Sequence, residues 1–334
     1  MKWFVLAGAL LWAATGYAEP CESYVKGVEV GRLNDARLNE LSGLARASDG
    51  NLWAHNDSGD TARVFKVSTT GEILGTWNLL GVTATDFEDM TNAPCPQGAC
   101  LIVADIGNNS TNRQELQLHR FVEPTTPQDV TVETTTFRYP ADPVDAEGVF
   151  AVQDAVYIVS KEGNLTQVFR VPWNTTEIQT AEQVATMTEP LAVTGADLSE
   201  DGTKILVRGY FSIAEFTVNG RIEDAFVSPR YLPYAAEMQG EAVVYLKDQP
   251  GVVTIGEAVN AKVMRYACAA VDAPDVGQAD MDVQAGDVGN ANAEDSGSTP
   301  DVGTPPPTPA RSSDGCGSVV PWWLLLGFWR RRMH

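Results

Sequence analysis

Short apolar or alternating runs of residues follow one another from about residue 24 to residue 268, and turn dipeptides such as Asp-Gly, Thr-Gly and Asn-Gly separate them. The runs are rich in Val, Ile, Thr, Phe and Tyr, which favour β-strands. Helical periodicity is nearly absent from this part of the chain. The pattern therefore predicts an all-β fold.

The runs recur as a unit roughly every 45 to 60 residues, which is the spacing of repeat architectures. Each unit has a second and a third strand, and the first four units also have an outer fourth strand. The first strand of each unit is apolar and carries an acidic residue, at residues 40–45, 86–91, 145–150, 194–199 and 239–244. This recurrence predicts a five-bladed β-propeller. A six-bladed propeller is the alternative, because irregular blades are easily miscounted.

The fifth unit ends at Cys268 before an outer strand, and residues 24–33 can supply that strand from the start of the chain. An outer strand supplied in this way closes the ring and protects the sheet edges. Of the five cysteines, Cys21 and Cys268 bracket the predicted propeller, and Cys95 and Cys100 can close a local loop. We predict these two disulfides, which leave Cys316 unpaired.

The ends of the chain differ in composition from the propeller region. Residues 1–18 contain one Lys, an apolar stretch and small residues before a cleavage point, as in a signal peptide. Residues 269–314 are rich in Asp, Gly and Pro and contain no aromatic residue, which predicts a disordered acidic linker. The predicted organisation is a signal peptide (1–18), a propeller (19–268), a linker (269–314) and a C-terminal segment (315–334).

The C-terminal segment places Cys316 before a short apolar stretch and three arginines. This order resembles the myxobacterial-type C-terminal sorting tail (MYXO-CTERM). The resemblance implies export, processing near Cys316 and a lipid on that cysteine, so that the protein is anchored at the outer-membrane surface or secreted after processing. A stop-transfer helix that stays in place is the alternative.

The chain carries 23 basic and 44 acidic residues, a formal net charge of −21. Such a surface repels a phosphate backbone, which argues against nucleic-acid binding. No run of eighteen or more apolar residues is present, so contact with a membrane is expected only through the tail. We expect a monomer whose partner is a small anionic ligand or a surface partner.

Acidic residues recur where inner strands begin and second strands end, and these positions share one mouth of a propeller channel. Converging carboxylates repel one another unless they are protonated or bridged by a cation. Oxygen ligands suit Ca²⁺ first and Mg²⁺ second. The candidate metal ligands are Glu40, Asp86, Glu88, Asp105, Asp145, Glu147, Asp197 and Glu241. In the alternative interpretation, these carboxylates accept hydrogen bonds from backbone N–H groups and hold neighbouring blades together.

Further polar residues at the same predicted mouth are candidates for ligand binding. They are His55, Asp57, Lys161, Arg208, Tyr210 and Glu257. The cationic side chains among them could receive a phosphate or carboxylate group of a ligand. A Ser-His-Asp hydrolase is disfavoured, because the chain has three histidines and His119 follows the alternation of a strand.

Residues 38–268 resemble the exported propellers described as phytase- or esterase-like. Residues 40–44, followed by residues 56–59, are also similar to five-bladed calcium-activated nucleotidases. The resemblance implies calcium binding and hydrolysis of phosphoesters. In this chain two of the five inner strands begin with a residue that is not acidic, Thr194 and Gln239. The acidic residue of these strands comes later, at Asp197 and Glu241.

Three functions remain open from the sequence. The first is a surface-anchored propeller that binds a divalent cation and an anionic ligand at the channel mouth. The second is a metal-dependent hydrolase of phosphoesters or related esters, in which Glu88, Glu147 and Glu241 hold the ion and Lys161 and Arg208 position the substrate. The third is an adhesion or scaffold module that uses its outer faces.

Overall fold

The computed structural model describes residues 21–108, 112–161, 165–188 and 191–270. The predicted signal peptide, nearly all of the predicted linker and the tail with Cys316 lie outside the described residues. Within the described ranges, no helix has the length and apolar character needed to cross a membrane.

The described residues form β-strands and two short 3₁₀ helices, Ala36–Leu38 and Ile222–Asp224. In chain order the strands are β1 (Val28–Arg32), β2 (Leu41–Arg46), β3 (Leu52–Asn56), β4 (Arg63–Val67), β5 (Ile73–Leu80), β6 (Phe87–Cys95), β7 (Gly98–Asp105), β8 (Leu116–Val122), β9 (Val130–Thr131), β10 (Glu133–Arg138), β11 (Ala146–Val152), β12 (Ala155–Ser160), β13 (Thr166–Pro172), β14 (Gln179–Thr180), β15 (Glu182–Met187), β16 (Val193–Leu198), β17 (Lys204–Gly209), β18 (Ser212–Thr217), β19 (Arg230–Tyr231), β20 (Gly240–Tyr245), β21 (Val252–Gly256) and β22 (Lys262–Tyr266).

The strands form five antiparallel sheets of four strands each, which are the blades of a propeller. From the inner to the outer strand, the blades are β2-β3-β4-β5, β6-β7-β8-β10, β11-β12-β13-β15, β16-β17-β18-β19 and β20-β21-β22-β1. Two short strands, β9 and β14, add in parallel to the outer edges of blades 1 and 2. The predicted five-bladed β-propeller is confirmed.

The first strand of the chain closes the ring, as predicted. Strand β1 pairs antiparallel with β22 and so becomes the outer strand of blade 5. An isolated bridge between Tyr24 and Cys268 continues this pairing. The disulfide between Cys21 and Cys268 then fastens the two ends of the propeller covalently.

The second predicted disulfide, Cys95–Cys100, is also present and spans the hairpin between β6 and β7. Disulfides form and persist in oxidising compartments. The two bridges therefore indicate an extracellular or periplasmic protein.

Apolar side chains fill the spaces between neighbouring blades. For example, Leu44 and Phe65 of blade 1 pack in one buried cluster with Val244 and Ile255 of blade 5. Such packing fixes the inner strands relative to one another. The residues at the channel mouth are therefore carried by rigid strands.

The seam disulfide should contribute more stability than the hairpin disulfide, because it closes a far longer loop. The sequence separations are 247 and 5 residues, for which the chain-entropy relation gives about 5 and about 2 kcal/mol. We expect the double variant Cys21→Ser/Cys268→Ser to lower the free energy of unfolding in urea clearly more than Cys95→Ser/Cys100→Ser does. Equal losses for the two variants would show that the seam does not depend on this bridge.

Candidate metal centre

Every inner strand has the same irregularity near its first residue. The pairing of inner and second strands shifts between Leu41 and Gly43 in blade 1 and at the corresponding point in the other four blades. The residue inside each shift is a β-bulge, a feature that re-aims a side chain. The five bulge residues are Ser42, Glu88, Glu147, Thr194 and Glu241.

The two hydroxyl side chains among the bulge residues bond to the backbone of the next blade. Ser42 donates to the carbonyl oxygen of Glu88, and Thr194 donates to that of Gly240 over 2.7 Å. A carboxylate cannot donate such a bond when it is ionised. The bulges of blades 2, 3 and 5 thus place acceptor groups where the other two blades have donors.

Carboxylates converge beside the bulge of blade 2. Oxygen atoms of Glu88, Asp145 and Glu147 lie within 4.8 Å of one another, and the same holds for Asp57, Asp86 and Glu88. All of these residues except Asp57 are buried. Glu88 belongs to both groups, so that five carboxylates share one region of the mouth. We call these five residues the acidic cluster.

Gly107 allows a loop to approach this cluster closely. A Cβ atom at residue 107 would lie 2.0 Å from an oxygen of Glu88 and 2.5 Å from the carboxyl group of Asp86. The next residue, Asn108, donates its backbone N–H to Asp145 over 2.8 Å. In contrast, no side-chain or backbone donor of the described residues hydrogen-bonds to the carboxylate of Glu88 or Glu241.

Burial and mutual repulsion make ionisation of these carboxylates unfavourable. Burial raises the pKa of Glu88 well above its usual value, and the neighbouring Glu147, Asp57 and Asp86 raise it further. The same causes, burial first, raise the pKa of Asp86 to about 6 and that of Glu147 to about 7. Burial and the Glu147 charge raise the pKa of Glu241 to about 9. The arrangement favours either bound protons or a bound cation.

Lys161 places one ammonium group against the acidic cluster. Its Nζ atom donates to Glu147 and lies 5.3 Å from the centre of the Tyr210 ring. Burial alone would lower the pKa of Lys161, but the Glu147 carboxylate outweighs burial and raises it. Lys161 therefore stays charged and offsets one carboxylate of the cluster.

Two further predicted residues lie at the outer edge of the mouth. Glu40 is exposed, and its backbone carbonyl accepts the N–H of Asp57 over 2.8 Å. Glu257 is half-buried and accepts a hydrogen bond from Gln239 over 2.6 Å. Burial raises the pKa of Glu257, and the charges of Asp57 and Glu40 add to this rise. Both residues extend the negative region outward from the cluster.

Two predicted metal ligands, Asp105 and Asp197, are instead each paired with an arginine. Asp105 pairs with Arg113 at 2.7 Å and accepts the backbone N–H of Asp86 over 3.0 Å. Asp197 pairs with Arg46 and accepts the backbone N–H of Tyr245 over 2.8 Å. Arg46 ends strand β2, so Asp197 faces the opposite end of the channel.

Arg208 and His55 lie near the mouth ends of strands β17 and β3, but both side chains are fully buried. Arg208 is fully buried, pairs with Glu237 at 2.9 Å and donates to the carbonyl of Ala242 over 2.8 Å. His55 is fully buried, and its Nδ1 donates to the carbonyl of Asn56 over 2.8 Å. Burial lowers the pKa of His55, so the ring stays neutral. Both side chains serve the packing beneath the mouth.

Sequence reasoning missed Asp89, which is fully buried in the channel. Its carboxylate accepts the backbone N–H groups of Met90, Val149 and Ala196 over 2.8, 2.9 and 3.0 Å. These bonds join blade 2 to blades 3 and 4. Asp89 and Asp197 thus perform the blade-joining role that the sequence left as an alternative, whereas the bulge glutamates do not.

Comparisons with known proteins assign no family. No family model and no curated protein matches the sequence. Among solved structures, a PQQ-bound aldose sugar dehydrogenase from Streptomyces coelicolor is similar at 10% identity, over 75% of this chain and 99% of that chain, with a TM-score of 0.47. A streptogramin B lyase is similar at 15% identity, over 68% of this chain and 65% of that chain, with a TM-score of 0.37.

A third solved structure, of a Thermus thermophilus protein described as an oxidoreductase (glucose dehydrogenase), is 9% identical over 73% of this chain and 100% of that chain, with a TM-score of 0.43. These values are too low to transfer a function. The resemblance to phytase- and nucleotidase-like propellers therefore stays a prediction.

The raised pKa values predict how stability depends on pH without a metal ion. Because the folded state binds more protons than the unfolded chain between about pH 4.5 and pH 9, stability is lost as pH rises through this window. We expect the free energy of unfolding, measured in EDTA, to fall from pH 5 to pH 9. Glu241→Gln, which mimics the protonated acid, should reduce the fall throughout the interval from about pH 4.5 to about pH 9. If the free energy of unfolding stays constant or rises from pH 5 to pH 9, the carboxyl pKa values of the mouth are not raised as described.

Proposed function

We propose that the acidic cluster binds divalent cations, Ca²⁺ in preference to Mg²⁺, and through them an anionic ligand. The observation that carries this proposal is the pair of carboxylate triads that share Glu88, each with oxygen atoms within 4.8 Å of one another. Buried carboxylates are stable only when protons, hydrogen bonds or cations compensate them. Within the described residues, the carboxylate of Glu88 accepts no hydrogen bond and forms no ion pair of its own, because Lys161 bonds to Glu147.

The ligand set suits calcium better than magnesium. Ca²⁺ accepts six to eight oxygen ligands in irregular arrangements, whereas Mg²⁺ requires near-octahedral geometry and retains several waters. Here the oxygens come from five side chains on the loops and inner strands of three blades. Such a set supplies many oxygens without octahedral symmetry.

Charge balance indicates that both triads must be filled before an anion binds. Five ionised carboxylates face the single ammonium group of Lys161. One divalent cation would leave two negative charges uncompensated, whereas two cations would bring the balance to zero. Glu241 is left out of this count because it belongs to neither triad. A ligand phosphate or carboxylate would then contact the cations and Lys161.

Calcium titration calorimetry at pH 7.5 in low-salt buffer tests this proposal. Wild type should bind two equivalents of Ca²⁺, and Glu88→Gln should lose both because Glu88 belongs to both triads. Asp57→Asn and Glu147→Gln should each retain one equivalent, since each removes a ligand from one triad only. Mg²⁺ should bind at least about tenfold more weakly.

Asp154→Asn is the matched control for these variants. Asp154 lies in blade 3 like Glu147, but in the turn between β11 and β12, and its side chain is 85% exposed. This variant should bind calcium as wild type does. If wild type binds no Ca²⁺, or if Glu88→Gln binds it normally, the proposal fails.

Hydrolysis of a phosphoester or related ester is the second candidate function. Lys161 favours it, because this residue places a charged, partly exposed ammonium group beside the cluster, where it could hold the anionic group of a substrate. Binding needs only the cluster and Lys161, whereas hydrolysis also needs a base that activates water. Cation-dependent binding is therefore the first proposal.

We also propose that Cys316 anchors the exported protein at the cell surface. The disulfides support an oxidising compartment, and the tail order supports lipid attachment. Cys316→Ala should shift the protein from the cell envelope to the culture medium on immunoblots of fractionated cultures. Unchanged retention in the envelope would exclude this anchor.

A further inference from the structure

Among the described residues, the three most exposed large apolar side chains are Phe211, Val259 and Met238, at 80%, 77% and 74%. Phe211 lies in the turn between β17 and β18, Val259 between β21 and β22, and Met238 two residues before β20. Inner strands begin and second strands end at the acidic mouth, so all three residues lie on its margin. We call these three residues the apolar rim.

The rim belongs to blades 4 and 5, whereas the acidic cluster belongs to the loops and strands of blades 1, 2 and 3. The mouth is therefore acidic on one side and apolar on the other. Met238 and Val259 line the same pocket, and exposed apolar side chains that share a surface are typical of binding sites. The ion proposal does not account for them.

A pocket of about 310 Å³ opens at the rim. Met238, Ala258 and Val259 form part of its wall. Gly256, which also lines the pocket, directly precedes Glu257 at the edge of the negative region. The pocket thus adjoins the acidic mouth, and its volume is at the lower end for small-molecule sites.

Glu237 gives the pocket a polar acceptor. Its side chain is 2% exposed and lines the pocket. One carboxylate oxygen accepts hydrogen bonds from Arg208 over 2.9 Å and from Thr254 over 2.7 Å, while the other, Oε1, has no partner in the described part of the chain. A buried acceptor without a partner is unfavourable. Oε1 is enclosed by protein atoms, so a ligand in the pocket would reach this acceptor only after the pocket wall shifts.

We propose that the ligand of this mouth is an amphiphilic organic anion. Its phosphate or carboxylate group binds the cations at the acidic cluster, and its aryl or short acyl body packs on the rim and enters the pocket. This inference rests on the proposed function, because the anionic end needs the cations. A small soluble molecule is the occupant, since the pocket has the volume of one small organic group and is lined by charged residues, Arg32, Glu237 and Lys262, as well as apolar ones.

Calorimetry on the full chain in saturating Ca²⁺ tests the inference with two probes, 1-naphthyl phosphate and inorganic phosphate. Wild type should bind 1-naphthyl phosphate at least about tenfold more tightly, because the naphthyl group buries apolar surface. The variant Phe211→Ser/Met238→Ser/Val259→Ser should lose this preference. Its calcium affinity and its affinity for inorganic phosphate should stay unchanged.

The matched control is Leu74→Ser/Val227→Ser. These two side chains are also exposed, at 45% and 68%, but they lie towards the opposite end of the blades. This control should keep the wild-type preference for 1-naphthyl phosphate. Because all five substituted side chains are exposed, neither variant should fail to fold.

The different failures can be told apart, since calcium is titrated first on the same samples. If Ca²⁺ does not bind, the proposed function fails. If Ca²⁺ binds but the two phosphates bind equally, or the rim variant keeps the preference, only the ligand inference fails. A second outcome would also overturn the inference: the two phosphates bind with equal affinity and the protein co-sediments with phosphatidylserine vesicles. The rim would then be a contact with a membrane.

Discussion

The bulge at the start of each inner strand is the local feature on which the mouth depends. In a regular strand, successive side chains alternate between the two faces of the sheet. The bulge breaks this alternation at one point in each of the five blades. Where the bulge residue is Ser42 or Thr194, the blades are joined by a hydrogen bond; where it is a glutamate, a negative group enters the mouth.

The acidic residues of the channel therefore divide into two kinds. Asp89 and Asp197 accept backbone N–H groups from neighbouring blades, and these bonds join the ring although burial also raises the pKa of both carboxyls. Glu88 and Glu147 lie among other carboxylates, and their raised pKa values record the cost of ionisation there. The same ring thus uses some buried carboxylates to join blades and leaves others without backbone donors at the mouth, where we propose that a cation binds.

The repeat in the sequence was sufficient for the fold, because blade number, the closing strand and both disulfides follow from recurring apolar strands and cysteine positions. The site was only partly predictable. Glu88 and Glu147 begin inner strands, so topology brings them together. Asp105 ends a second strand and so was expected at the same mouth, whereas Asp197 lies near the end of its inner strand. Arg113 and Arg46 neutralise these two carboxylates from a loop and a strand end whose approach no local pattern reveals. The bulge itself has no sequence signature, which explains why Asp89 was missed.

The central claim is that the acidic cluster, and not another part of the propeller, holds the cations. Terbium is an oxygen-binding substitute for calcium with strong anomalous scattering, so crystals of the protein grown with Tb³⁺ test this claim directly. The account predicts anomalous peaks between the carboxylates of Asp57, Asp86 and Glu88 and between those of Glu88, Asp145 and Glu147. Peaks only at surface acids, or a cluster without any peak at saturating Tb³⁺, would contradict it.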